Sequence, residues 1–249
     1  MEMTRTGNGL TSQRKVAIVA GSALMVMVVA AAFSFGFAHT QLFVAGDGEA
    51  TFHNLISQSG LFKAEIFGWI IILVSDIVVA CACYILLKPV SKHLSLLGAG
   101  FRLTYSAILG IAIMNLLLAL LVANSADYVA SFTTAQLGAQ VLFYFHAFES
   151  IWSVGLLIFG GHLLILGLLA FKADGIPNWI AILLLFAAGG YVVLHSFELF
   201  FNEYEAILSM LNTVLVVPMT VGELSFGLWL LFKGGKKPVQ KQNSATASL

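Results

Sequence analysis

Two nine-residue stretches, YFHAFESIW (144–152) and VLHSFELFF (193–201), each set a histidine three residues before a glutamate inside apolar sequence. Residues three apart are neighbours on one helix face, so His146 with Glu149 and His195 with Glu198 each form a one-turn pair. Imidazole and carboxylate together suit zinc, iron or manganese. Helical bundles build di-iron sites from glutamates plus Glu-x-x-His pairs, but here the order is His-x-x-Glu and the carboxylates are too few for a full di-iron centre. A mononuclear zinc site with an open position needs only three protein ligands, and Glu65 lies in the same band near the outer membrane edge. Alternatively, His146 and His195 would ligate one haem from opposite sides. The plainer reading is interfacial: wet-edge polar groups among aromatic residues, each pair closed by its own hydrogen bond.

A second set lies deeper. Counting 1.5 Å per residue from the inner helix ends puts Asp76, Arg102, His162 and Glu223 about 12–17 Å into the membrane. A charge at that depth must be paired or neutralised. Asp76 and Arg102 sit on helices joined by a tight turn, which makes them partners for an ion pair that fixes helix register. The functional reading of the same layer is a proton or ion relay through Asp76, His162 and Glu223, while Arg102 alone would snorkel to the inner headgroups. Gly160 and Gly161 beside His162 admit close approach of another helix. Asn115 is a lone amide in an apolar run, expected to bond to a neighbouring helix. Cys81 and Cys83 are two apart and point to different sides of a helix, which suits apolar fillers rather than a disulfide or a metal pair.

The elements that carry these residues follow from composition. Of 249 residues, 59% are hydrophobic and 10% charged, against about 25% charged in soluble domains. With so few charges, lipid must be the main solvent, and a net charge of zero argues against nucleic-acid partners. Six stretches reach the ~20 apolar residues that a bilayer core demands: 16–37, 61–87, 94–122, 137–171, 179–200 and 206–232. The fold class expected is therefore all-α, a polytopic transmembrane bundle of six spans. The fourth stretch is longer than a span needs, so its first turns, or a break near them, should lie outside the membrane. The first has a longer apolar core than a signal peptide and is expected to be retained.

With the N-terminus inside, eleven of the twelve Lys and Arg residues fall at or near the inner side and only Lys63 falls outside. Asp47, Glu49, Asp127, Glu203 and Glu205 occupy outer segments. The positive-inside rule then places both termini inside. Pro177 is suited to start the fifth span, where its missing N–H is no loss. In the outer loop 40–60, Phe52, Leu55 and Ile56 recur at helical spacing and suggest a short interfacial helix. The expected layout is a tail at 1–15, one membrane domain at 16–232 and a basic, disordered tail at 233–249. No phosphate-binding Gly-rich loop, nucleophile elbow, HExxH or CxxC is present.

Residues 46–110, with the acidic-glycine start GDGEATFHN, Asp76 in the second span, the exit CYILLKPV and the third-span start GAGFRL, resemble a bacterial family of six-helix membrane proteins. LLIFGGHLLILGLL (156–169), GIPNWIAILLLFAAGGY (175–191) and VGELSFGLWLLFKG (221–234) extend the likeness across most of the chain beyond the first helix. The family is the uncharacterised domain family numbered 4386. The resemblance implies a six-helix bundle in a bacterial cytoplasmic membrane and points to Asp76, Arg102, His146, His162 and Glu223; His195 and Glu198 match no family pattern. It implies no reaction.

Three functions remain open at this level. The first is a non-enzymatic protein that binds or transports a small solute, proton or lipid through the buried polar layer. The second is a metal-dependent membrane enzyme, a lipid hydrolase or oxidoreductase with zinc or iron held by His146, Glu149, His195 and Glu198. The third is an accessory protein of a membrane partner or homo-oligomer.

Overall fold

The computed structural model of the chain describes residues 12–125, 130–201 and 203–236. Arg5, Asp127, Lys237, Lys241, most of the 1–15 tail and most of the 233–249 tail lie outside the described residues. Helix α1 (Ser12–Ala31) runs on through a π-helical stretch (Ala32–His39) and a last α-turn (Thr40–Leu42). Then come α2 (Gly48–Ser57), α3 (Ser59–Leu87), α4 (Lys92–Asn124), α5 (Thr134–Lys172), α6 (Asn178–Phe200) and α7 (Glu205–Phe232). All but α2 lie in stretches long and apolar enough to cross a bilayer. With no water available in the hydrocarbon, the backbone bonds within each helix. Large apolar side chains point outward, among them Phe67, Leu121 and Phe143, each about two-thirds exposed. That surface is solvated by lipid tails, so the protein is a multi-pass membrane protein.

Short connections make sequential helices antiparallel neighbours. α1 packs on α3, α3 on α4, α4 on α5, α5 on α6 and α6 on α7, and α7 returns to α1. The six spanning helices thus close into a ring. In lipid, helices adhere by close packing rather than by a hydrophobic drive, which favours small residues at crossings. At the α1–α7 closure Gly21 faces Gly227 and Leu231, and Gly227 faces Leu24 and Met25. The same end is tied by Arg14, whose guanidinium donates to the Leu230 carbonyl at 3.0 Å, to Gly234 at 2.8 Å and to Leu231. These are last-turn carbonyls that a helix cannot satisfy itself, and the cation complements the negative end of the α7 dipole. Both described chain ends therefore lie at one end of the bundle.

Local features sharpen the sequence expectations and in one case differ from them. The fourth apolar stretch has no break: α5 is one helix of 39 residues, about 58 Å long at 1.5 Å per residue. A capping box starts it, with the Gln136 N–H donating to Thr133 Oγ1 at 3.3 Å and the Thr133 N–H to Gln136 Oε1 at 3.0 Å. Its first turns hold α2, which is docked on the bundle with Phe52 and Leu55 buried while Ile56 is exposed. Asn115 bonds to no neighbouring helix; its amide donates back to Ile111 of its own helix at 3.1 Å. Of the cysteines, Cys81 is exposed, Cys83 buried, and both are free thiols.

The α2–α5 contact is backbone to backbone. A Cβ on Gly138 would fall 2.6 Å from the Gly48 carbonyl carbon and 2.7 Å from the Glu49 nitrogen. Gly138→Leu is expected to undock α2 at a cost of about 1–3 kcal/mol. Hydrogen exchange should then rise in 48–57 while the six spans keep their protection; unchanged exchange there would show that the contact does not hold α2.

Candidate functional site

The inner polar residues fall into two groups. α3 brings Asp76 to α4, where Oδ1 lies 2.6 Å from Arg102 Nη2. Arg102 Nη1 lies 3.2 Å from His162 Nε2 on α5, and His162 Nδ1 is 2.8 Å from the Gly98 carbonyl. A carbonyl only accepts and a guanidinium only donates, so the imidazole proton is on Nδ1 and Nε2 accepts from Arg102. The guanidinium also stands 5.1 Å over the Phe159 ring and 3.7 Å from the Met27 sulfur. All three residues of this chain are buried. Glu223 is not part of it. Its Oε1 accepts the Tyr191 hydroxyl at 2.7 Å. Gly160 meets Ala188 and Val192 of α6, and Gly161 meets Phe101 of α4, so the glycines beside His162 bring two helices close.

Inside the ring is a cavity of about 350 Å³ to which all six spanning helices contribute, with Asp76 and Glu223 among its walls. Trp69, Tyr105, Trp152, Phe159 and Tyr191 supply aromatic faces. Two fully buried polar atoms on this wall have no hydrogen-bond partner among the described residues: Asp76 Oδ2 and Trp69 Nε1. Buried polar atoms are ordinarily satisfied, so these atoms mark a place where a ligand or water would bond.

The outer pairs line a second cavity of about 490 Å³ between the outer halves of α5, α6 and α7, with Phe35 of the π-helical stretch at its edge. His195 Nδ1 lies 2.6 Å from Glu198 Oε2, which also accepts the Ser153 hydroxyl at 2.8 Å. His146 Nδ1 lies 3.4 Å from Glu149 Oε2. All four residues thus face one space, yet each histidine engages its own glutamate. Among the described residues no group of three or more His, Cys, Asp or Glu side chains is arranged to hold a metal ion. Glu65 does not join them: its Oε1 is 2.8 Å from His39 Nδ1, and His39 Nε2 is 3.5 Å from Glu149 Oε1.

His39 is the residue the sequence reasoning missed. It ends the π-helical stretch, buried under Phe43, Phe145 and Phe148. π-helices close i→i+5 bonds and are frequent at functional sites. This one points Ser34 and His39 inward together, with the Ser34 hydroxyl donating to the Glu65 carbonyl at 3.1 Å. The usable signal was AFSFGFAHT, where the apolar pattern of the first span falters.

The two cavities share Trp152, Leu156, Tyr191 and Thr220 in their walls, so they adjoin at those residues. Helix α7 explains why the outer one is open. From Glu205 to Pro218 it buries no residue, whereas Met219, Gly222, Phe226, Gly227 and Leu230 are buried beyond it. Pro218 removes one helical hydrogen bond and crowds the preceding turn, which kinks a helix at that point. Over its outer half α7 thus packs on the bundle only through partly buried residues such as Leu215.

An uncharacterized protein of Archaeoglobus fulgidus is 33% identical over 175 residues, covering 69% of this chain and 85% of the relative. No solved structure matches. Residues 19–234 match the family described as Domain of unknown function (DUF4386), and the chain belongs to that family.

Proposed function

We propose that this membrane protein is non-enzymatic and uses the bundle interior to bind, and to pass, a small solute or lipid. The observation that carries the reading is the pair of adjoining cavities, one central and lined by all six spanning helices, the other beside the outer half of α7, which buries no residue before Met219. Ligand sites are commonly concave, largely apolar spaces with a few placed polar groups, of ~300–1,000 Å³. The buried layer of Asp76, Arg102, His162 and Glu223 supplies those groups at mid-depth. Eleven inner-side cations to one outer favour both ends on the inner side, and the likeness to a bacterial family favours a bacterial cytoplasmic membrane, with one membrane domain at 16–232 and tails on either side. A homo-oligomer or a membrane partner is compatible with this reading.

Leu156 sits at the cavity junction, so Leu156→Trp should fill it. Mass spectrometry of detergent-purified protein is expected to find a co-purifying small molecule or lipid, reduced about fivefold or more in Leu156→Trp. Phe67→Trp, on the lipid-facing surface, should leave it unchanged. Equal ligand content in all three proteins would sink the proposal. So would stoichiometric zinc or iron that vanishes in a His146→Ala/His195→Ala variant, which would favour the metal-dependent enzyme.

A further inference from the structure

We infer that the ligand of the adjoining cavities is a lipophilic organic cation, an amphipathic ammonium or its like. The inference rests on the binding role proposed above and names its substrate class. The charged side chains on the two walls are carboxylates: Asp76 and Glu223 in the central cavity, Glu149 and Glu198 in the outer one. Among the described residues no Lys or Arg lines either, while His146 and His195 on the outer wall each engage one of its glutamates. Arg102 lies behind the wall and offsets Asp76. Among the described residues no Lys, Arg or His is within ion-pairing distance of Glu223; Arg102 acts on it only at longer range and is already paired with Asp76.

Acidic residues alone would not make a site, but the wall carries independent features. Asp76 is fully buried and keeps one oxygen without a hydrogen-bond partner, an acceptor suited to an N–H or O–H of a ligand. Trp69, Tyr105, Trp152 and Tyr191 surround the same space, and cations are attracted to the faces of such rings. The neighbouring Phe159 ring already carries a cation over it, the Arg102 guanidinium at 5.1 Å. An anion would meet carboxylates at both levels, with no free cation to offset its desolvation. A ligand in the bilayer would reach the outer cavity laterally beside the outer half of α7, past Glu198 and Leu208.

Tetraphenylphosphonium and tetraphenylborate have the same shape and opposite charge, and equilibrium dialysis of each against the detergent-purified full chain tests the inference. Saturable binding of the phosphonium without the borate is expected, with affinity about tenfold weaker in Glu223→Gln. Glutamine keeps an acceptor for Tyr191, and gel filtration of the variant checks that it is folded. Equal binding of both ions, unchanged by Glu223→Gln, would overturn the cation assignment while leaving the cavity as a binding site. Binding of neither ion, with a native ligand still lost in Leu156→Trp, would also overturn it and favour a neutral lipid. Binding of neither ion, with no native ligand lost in Leu156→Trp, would overturn this inference and the proposed function together.

Discussion

Arg102→Leu is expected to destabilise the bundle by about 3–5 kcal/mol, the range for removing one partner of a buried ion pair. The guanidinium is buried and reaches Asp76, His162, Met27 and the Phe159 face. Without it, Asp76 is left wholly buried with no ion-pair partner among the described residues. His162 Nε2 loses its donor as well. Removing both charges is a different matter, because replacing a whole buried pair with uncharged groups of similar volume is often close to neutral. Asp76→Asn/Arg102→Leu should therefore recover most of the loss. The measurement is the thermal midpoint in mild detergent, followed by the monodisperse fraction after heating. A double variant no more stable than Arg102→Leu would show that the pair is not the origin of the cost. Such a recovery, combined with lost ligand binding, would separate the pair's structural role from its role on the cavity wall.

His39→Leu carries the second large effect, about 3 kcal/mol. Glu65 has no exposed surface, and its Oε2 has no partner among the described residues. The bond from His39 to Oε1 at 2.8 Å is what holds this carboxylate. Leucine would leave it buried with neither side-chain oxygen satisfied. The damage should be local first: hydrogen exchange should rise at 32–42, where the π-helical stretch meets α3. Glu65→Gln keeps an acceptor for the imidazole and should cost no more than about 1 kcal/mol. If His39→Leu unfolds no earlier than Glu65→Gln, the buried bond contributes little and the aromatic packing around His39 carries that corner.

Much of this was legible from residue order. The apolar runs identify the spans because each unpaired backbone group in hydrocarbon is costly, so length and composition alone select a helix. Short connections such as that between Leu87 and Lys92 fix antiparallel neighbours, and counting along them places Asp76 and Arg102 at similar depth. Other features were hidden for identifiable reasons. A π-stretch shifts the period on which pattern reading depends, so the first span was drawn to end at 37, two residues short of His39. Pro218 lies inside an apolar run that is otherwise continuous, and a proline's effect depends on what packs beside it. Likewise i, i+3 spacing puts each histidine beside its glutamate but does not decide whether two such pairs point at one ion or line one space.

What the sequence by itself determined is the solvent of this protein and the number of its crossings. Both follow from transfer free energies that add up along the chain, residue by residue. Tertiary structure alone decided that α1 and α7 close the ring where Gly21 meets Gly227, and that α7 buries residues only from Met219 onward. It also decided that Glu223 faces Tyr191 rather than Arg102, and that two cavities meet at Leu156. These depend on the shapes of surfaces far apart in sequence, where a glycine at one crossing and a proline at another set how closely two helices approach.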